Sequence, residues 1–240
     1  MAKQTLTFSA RIEIRGLTKR FHYHAILDHL SLTINEGDFC VLIGANGAGK
    51  TTLLRILAGL IHPTEGEIIF GSGQITNGPN LRRHIGYVGH QSMFYQDLTA
   101  AENLMHYARL YRLSEVDKAI TNGLNTSGLD QYRNQPVRTF SRGMQQRLSL
   151  ARAMLHEPEI MLFDEPYTGL DQEAAQFLDK KLKALNQPNR TILMAAHRPH
   201  RLLPMASHIA WLKAGKIVEH LPISQLHKSP ALKRYLGAPA

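Results

Sequence analysis

The sequence predicts an α/β domain with a mostly parallel sheet and an inserted helical segment, on three observations. Continuous apolar runs at Phe39–Ile43, 160–163 and 192–196 have the length of strands buried on both faces. Helical periodicity alternates with these runs at 50–60, 143–155 and Gln172–Leu185. Strands that alternate with helices build a parallel sheet covered on both sides. Between 98 and 135 the alternation stops, and two amphipathic helices follow one another with no strand between them.

Taken in order, residues 11–15 (RIEIR) and 30–34 alternate apolar and polar as half-buried strands do, and Glu36-Gly37-Asp38 reads as a turn. The run Phe39–Ile43 leads into the glycine-rich segment 44–49, and the helix 50–60 repeats Leu53, Leu54, Leu57 and Leu60. Pro63-Thr64-Glu65-Gly66 breaks that helix, and 67–70 and Ile85–Val88 return to strand. The insert supplies helices at 98–113 and 115–124, then 136–140 links to the helix 143–155. The buried strand 160–163 stops at Asp164, and the strand 191–196 stops at His197. Residues 209–212 and 216–219, split by Ala214-Gly215, form an edge hairpin, and 223–236 reads as one closing helix. The antiparallel strands gather at the N-terminal end, the insert covers about 92–155, and the whole of 1–240 reads as a single domain.

Composition narrows the possible functions. Of 240 residues, 43% are apolar and 20% charged, which excludes disordered and collagen-like chains. No apolar run approaches the roughly 18–20 residues that cross a bilayer, and the start of the chain lacks the apolar centre of a signal peptide, so a cytoplasmic location is expected. The single cysteine, Cys40, rules out an internal disulfide and sits in an apolar run, as a small core residue does. Lys and Arg exceed Asp and Glu by 28 to 19, a net charge of +9, yet no basic block of five residues occurs, so no nucleic-acid partner is expected. His22, His24 and His29 match no zinc spacing.

Ligands of parallel sheets bind at the carboxyl ends of the strands, and three motifs fall there. Gly44-Ala45-Asn46-Gly47-Ala48-Gly49-Lys50-Thr51 fits G-x-x-x-x-G-K-[ST], the Walker A loop. Its glycines permit positive φ and let backbone N–H groups close on phosphate oxygens. The following helix adds the partial positive charge of its N-terminus. Lys50 suits β- and γ-phosphates, and the Thr51 hydroxyl suits Mg²⁺. The second motif is Asp164-Glu165 after four apolar residues: Asp164 as a carboxylate for Mg²⁺, Glu165 one residue further to polarise water. The third, Phe140-Ser141-Arg142-Gly143-Met144-Gln145-Gln146-Arg147, reads as a helix cap at Ser141 or as a second phosphate-facing helix start.

The order of these motifs over essentially the whole chain resembles the ATP-binding cassette (ABC) family, built on a P-loop NTPase core. The resemblance implies ATP and Mg²⁺ as ligands. It places Phe21 against adenine, with Tyr23 as the nearby alternative. It places Asn46, Gly47, Gly49, Lys50, Thr51 and Thr52 around the phosphates, and Thr51, Gln91 and Asp164 at Mg²⁺. Glu165, Gln91 and His197 take the catalytic positions, as the carboxylate, the Q-loop glutamine and the switch histidine. Ser141 and Gly143 match the signature motif, which closes over the γ-phosphate of a nucleotide held by a second copy of the chain, and Gly169-Leu170-Asp171 matches the D-loop, with Asp171 at the nucleotide. Against the usual Leu-Ser-Gly-Gly-Gln, Phe140, Arg142 and Met144 are substitutions.

With one cassette and only a short helical insert, the chain resembles the motor subunit of a membrane transporter rather than the tandem translation-associated or coiled-coil DNA-repair members. Tyr87-Val88-Gly89-His90-Gln91, Leu98-Thr99-Ala100-Ala101-Glu102-Asn103-Leu104, Arg109-Leu110-Tyr111 and the 140–147 segment are most similar to heme-exporter ATPases of cytochrome c maturation (CcmA type), with ABC-2-type exporters sharing much of the rest. This implies a homodimer bound to membrane permease subunits, peripheral on the cytoplasmic side of the inner membrane.

Overall fold

A computed structural model of the chain describes residues 8–71, 79–90, 92–197 and 199–237. The N-terminal strands β1 (Ile12–Phe21) and β2 (His24–Ile34) form an antiparallel hairpin, and β4 (Glu65–Phe70) pairs with the other side of β1. All three strands outrun the expected 11–15, 30–34 and 67–70. The β1–β2 register shifts between Ile14 and Leu17, between Leu17 and Lys19, and between Lys19 and Arg20. Each shift spoils the alternation by which a strand is recognised, so the pattern shows only the regular stretch at one end.

The central sheet has six strands in the order β5 (Ile85–Val88), β6 (Ile160–Asp164), β7 (Thr191–Ala195), β3 (Phe39–Ile43), β8 (His208–Lys213) and β9 (Lys216–Pro222). All neighbours are parallel except the β8–β9 hairpin at the edge. Every residue of β3, β6 and β7 is buried. Successive side chains point to opposite faces. Cys40, Leu42, Leu162 and Leu193 therefore meet the three-stranded sheet and helix α1 (Lys50–Leu57). Phe39, Val41, Phe163 and Met194 meet helix α6 (Gln172–Leu185) and the C-terminal segment. A fully buried side chain of this size contributes about 1.5–3 kcal/mol, which is why these runs hold the centre. Burial also pushes the Cys40 thiol well above its usual range, as suits an inert core residue.

Helices α3 (Ala100–Leu110), α4 (Val116–Ser127) and α5 (Arg142–Met154) gather a separate apolar cluster, with Leu104, Ala108, Ile120, Leu124, Val137 and Leu148 at its centre. Helix α3 starts at a capping box, Thr99 accepting from the Glu102 N–H and Glu102 from the Thr99 N–H. It starts and stops inside the expected 98–113, whereas α4 runs past the expected 124 until Gly128 ends it in a left-handed conformation.

Two expectations are corrected. The closing helix at 223–236 is two pieces, a 3₁₀ turn Ile223–Lys228 and helix α7 (Pro230–Tyr235). Pro230 cannot donate an N–H and holds Ser229 in an extended conformation, where the Ser229 hydroxyl caps Leu232 N–H at 3.1 Å. The helix at 50–60 ends at Leu57, three residues early, ahead of Gly59 at φ 66°. The short helix α2 (Pro79–Arg82) has too few residues to show a period and went unforeseen.

Candidate active site

The loop 44–49 leaves the carboxyl end of β3 and turns directly into α1. Gly47 and Gly49 hold φ of 79° and 109°, the left-handed region that glycine enters freely. At Gly49 a side chain is also excluded by space, since a Cβ would lie 2.7 Å from Leu27 Cδ2 and 3.0 Å from the Ile26 carbonyl. Lys50 opens the helix and is only 5% exposed. Its Nζ donates to the carbonyls of Gly44 at 2.8 Å and Ala45 at 3.2 Å, and lies 3.4 Å from Glu165 Oε1.

Asp164 ends β6, two strands away, at 1% exposure. The Thr51 hydroxyl donates to Asp164 Oδ1 at 3.0 Å, and the Tyr87 hydroxyl to Oδ2 at 3.5 Å. Burial pushes the Asp164 carboxyl above its ordinary value, and the neighbouring Glu165 adds to this, while the Thr51 bond, Arg55 and His90 pull it down. Burial, with help from Asp164, raises Tyr87 as well. A hydroxyl and a buried carboxylate, both hard oxygens, are a donor set that fits Mg²⁺. Glu165 has φ 52°, uncommon for a residue with a side chain and costing about 1–2 kcal/mol. Its N–H donates to Ala195 of β7 and its carbonyl accepts from Thr168, both at 3.1 Å, so the surroundings hold it in place.

These groups border a cavity of about 510 Å³, which Phe21, Asn46, Gly47, Gly49 and Thr52 also line. Of the two aromatics, Phe21 is the one on the cavity, while Tyr23 is 99% exposed. Ile26, Arg55 and His90 border the cavity without having been foreseen. Arg55 had a signal: it lies one helical turn past Thr51, on the same face of α1.

Ser141, Gly143, Asp171 and His197 do not line this cavity. Ser141 is the N-cap of α5, accepting from Met144 N–H at 3.2 Å, and is exposed. Gly143 has a packing reason: a Cβ there would lie 3.0 Å from Ala174 Cβ at the start of α6. Asp171 caps α6, accepting from Ala174 N–H at 2.8 Å. His197 follows β7 and is exposed at the carboxyl edge of the sheet. Gln91 lies outside the described residues.

A glycine-rich loop, its lysine and threonine, and a buried aspartate across the sheet define a P-loop nucleotide-binding protein. A profile of the ABC transporter family matches residues 27–168, and the chain belongs to that family. It is one of the family's ATP-binding proteins, which are ATPases coupled to transport. It is 36% identical to the bacitracin transport ATP-binding protein BcrA of Bacillus licheniformis, over 92% of this chain and 72% of the relative. It is 33% identical to the ABC transporter ATP-binding protein NatA of Bacillus subtilis, over 83% of each. Among solved structures, a dimeric post-hydrolysis state of the ATP-binding cassette MJ0796 bound to ADP and Pi superposes with a TM-score of 0.77 at 28% identity, covering 88% of this chain and 98% of that one. Among the described residues no helix is long and apolar enough to cross a membrane.

Proposed function

We propose that this chain is the ATP-hydrolysing motor of an exporter, that it works as a homodimer, and that it docks peripherally on the cytoplasmic side of the membrane permease. The observation that carries this is the constellation of Lys50, Thr51, Asp164 and Glu165 around one cavity. Phe21 would pack against the base, and Asn46, Gly47, Gly49 and Thr52 would border the phosphates. An incoming γ-phosphate competes with Glu165 for Lys50, which leaves the Glu165 carboxylate free to take a proton from water. Mg²⁺ on Thr51 and Asp164 would neutralise phosphate charge. Gln91 and His197 are proposed at the water and the γ-phosphate. Residues 92–155 form the inserted unit, a reading supported by their own apolar cluster.

Each site is shared between two copies of the chain. Ser141, Gly143 and Asp171 do not line the Lys50 cavity of their own chain, and a two-fold dimer brings such surfaces onto a partner's nucleotide. Mixing Lys50→Ala chains with Ser141→Arg chains tests this. Heterodimers should regain one working site and part of the ATPase rate. Heterodimers that form without any recovered rate would refute the shared site.

For the cargo, relatives named for bacitracin transport and Nod factor export support an ABC-2-type exporter of a substrate other than heme, while others are named for spermidine/putrescine import. The heme reading rests on Gly89-His90-Gln91 and the 140–147 segment. A Lys50→Ala strain separates the two, since loss of cytochrome c supports heme and normal cytochrome c removes it.

A further inference from the structure

Arg142 departs from the usual signature wording, and its surroundings give it a use. It is the first residue of α5, directly after the Ser141 cap. A cation sits poorly there, because the helix already presents its own partial positive charge. Among the described residues Arg142 makes no ion pair. Its guanidinium instead lies against the backbone of Gly169, where a Cβ would come within 2.6 Å of Cζ and 2.7 Å of both Nε and Nη1. Gly169 also has φ 72°, so its conformation calls for glycine, whereas an added Cβ would push aside the flexible end of Arg142.

Gly169 belongs to the turn that joins Glu165 to α6. Within it Thr168 N–H donates to the Glu165 carbonyl at 3.1 Å and Leu170 N–H to the Tyr167 carbonyl at 3.2 Å, and Asp171 then caps α6. The starts of α5 and α6 are already close, through Gly143 against Ala174 and through Arg147 Nη2 to Glu173 Oε1 at 2.8 Å. Arg142, Glu165 and Thr168 border one polar cavity of about 340 Å³. A planar, weakly hydrated guanidinium can pack on a peptide in a way an ammonium cannot.

We infer that Arg142 is a positioning residue for ATP hydrolysis: through Gly169 it fastens the 165–171 turn to α5 and so fixes where the Glu165 carboxylate stands. The inference rests on the proposed role of Glu165. The competing roles are contact with nucleotide on the partner subunit and packing with no catalytic effect.

Two readouts on the full chain decide among these: amide hydrogen exchange over 165–171 without nucleotide, and steady-state ATP hydrolysis. Arg142→Ala should speed exchange across 165–171 and lower kcat about tenfold while KM for ATP stays within about twofold. Arg142→Lys, which keeps the charge, should move both in the same direction, and it serves if the alanine variant folds poorly. In a Gly169→Ala background, where the guanidinium is already displaced, Arg142→Ala should add less than about twofold. Unchanged exchange over 165–171, a raised KM with kcat kept, or effects that multiply in the double variant would each overturn the inference. Wild-type turnover by Glu165→Gln would instead remove the carboxylate assignment, and the exchange readout still reports on the Arg142–Gly169 contact by itself.

Discussion

The Lys50 cavity and the start of α5 both present a helix N-terminus, but the two are finished to different degrees. At the first, Lys50 is buried, Thr51 reaches Asp164 across the sheet, and Glu165 is held in a strained backbone conformation by β7. At the second, Ser141 is exposed and serves its own helix, and Gly143 is spent on packing against α6. A site whose parts are tied together by buried hydrogen bonds is organised before its ligand arrives. A lone capped helix start is not, and becomes part of a site only when another surface meets it.

The sharpest way to break this contrast is at Glu165. Glu165→Gln should keep ATP binding and lower turnover by a factor of about 10²–10⁴, since an amide does not accept the proton of water. Rapid-quench hydrolysis measures it, and a wild-type rate would mean the catalytic carboxylate is elsewhere. Lys50→Ala should cost about a hundredfold in ATP affinity by calorimetry, the scale of a lost charge-assisted bond. Unchanged affinity would show that the finished half is not the phosphate site.

The far end of α5 is closed rather than open, and pH reads that closure. His156, just past the helix, stacks on Tyr111 with ring centroids 3.8 Å apart, and its Nε2 lies 3.1 Å from the Ile85 carbonyl. Burial pushes the imidazole down to about 4, from an ordinary value of 6.5, with Ile85 opposing and His84 adding to the fall. The folded chain therefore keeps this group neutral where the unfolded chain binds a proton. Its contribution is complete above about pH 6.5 and is lost as pH falls toward about 4, a total of about 3 kcal/mol. Denaturation midpoints measured across that window should show a slope that His156→Leu flattens; an equal slope in both proteins would mean His156 is not the group responsible. The smallest effect is at the open end, where Ser141→Ala should cost about 1 kcal/mol in urea unfolding through loss of the cap. A cost several times larger would mean Ser141 supports more than its own helix.

Much of this site was legible because its chemistry is written in contiguous residues. The 44–51 loop needs its glycines, lysine and threonine in one unbroken turn, and β3, β6 and β7 need unbroken apolar runs because both faces are covered. The split at Ser229-Pro230 was also written in the sequence, and the apolar spacing through Leu232 and Leu236 masked it. The full length of the β1–β2 hairpin was not legible, because bulges erase alternation. Nor was the Tyr87 hydroxyl on Asp164, or His90 on the cavity, since the pairing of β5 with β6 places them there.

By itself, then, the sequence determined the central strands and most of the helices, and which short runs could cradle phosphate. Those properties depend on neighbours along the chain, on periodicity and on φ. The tertiary structure alone decided that Thr51 meets Asp164 from 113 residues away, that Lys50 stands beside Glu165, and that Arg142 rests on Gly169. Those contacts depend on strand order and on the close approach of α5 to α6, which arise only when the whole core packs at once.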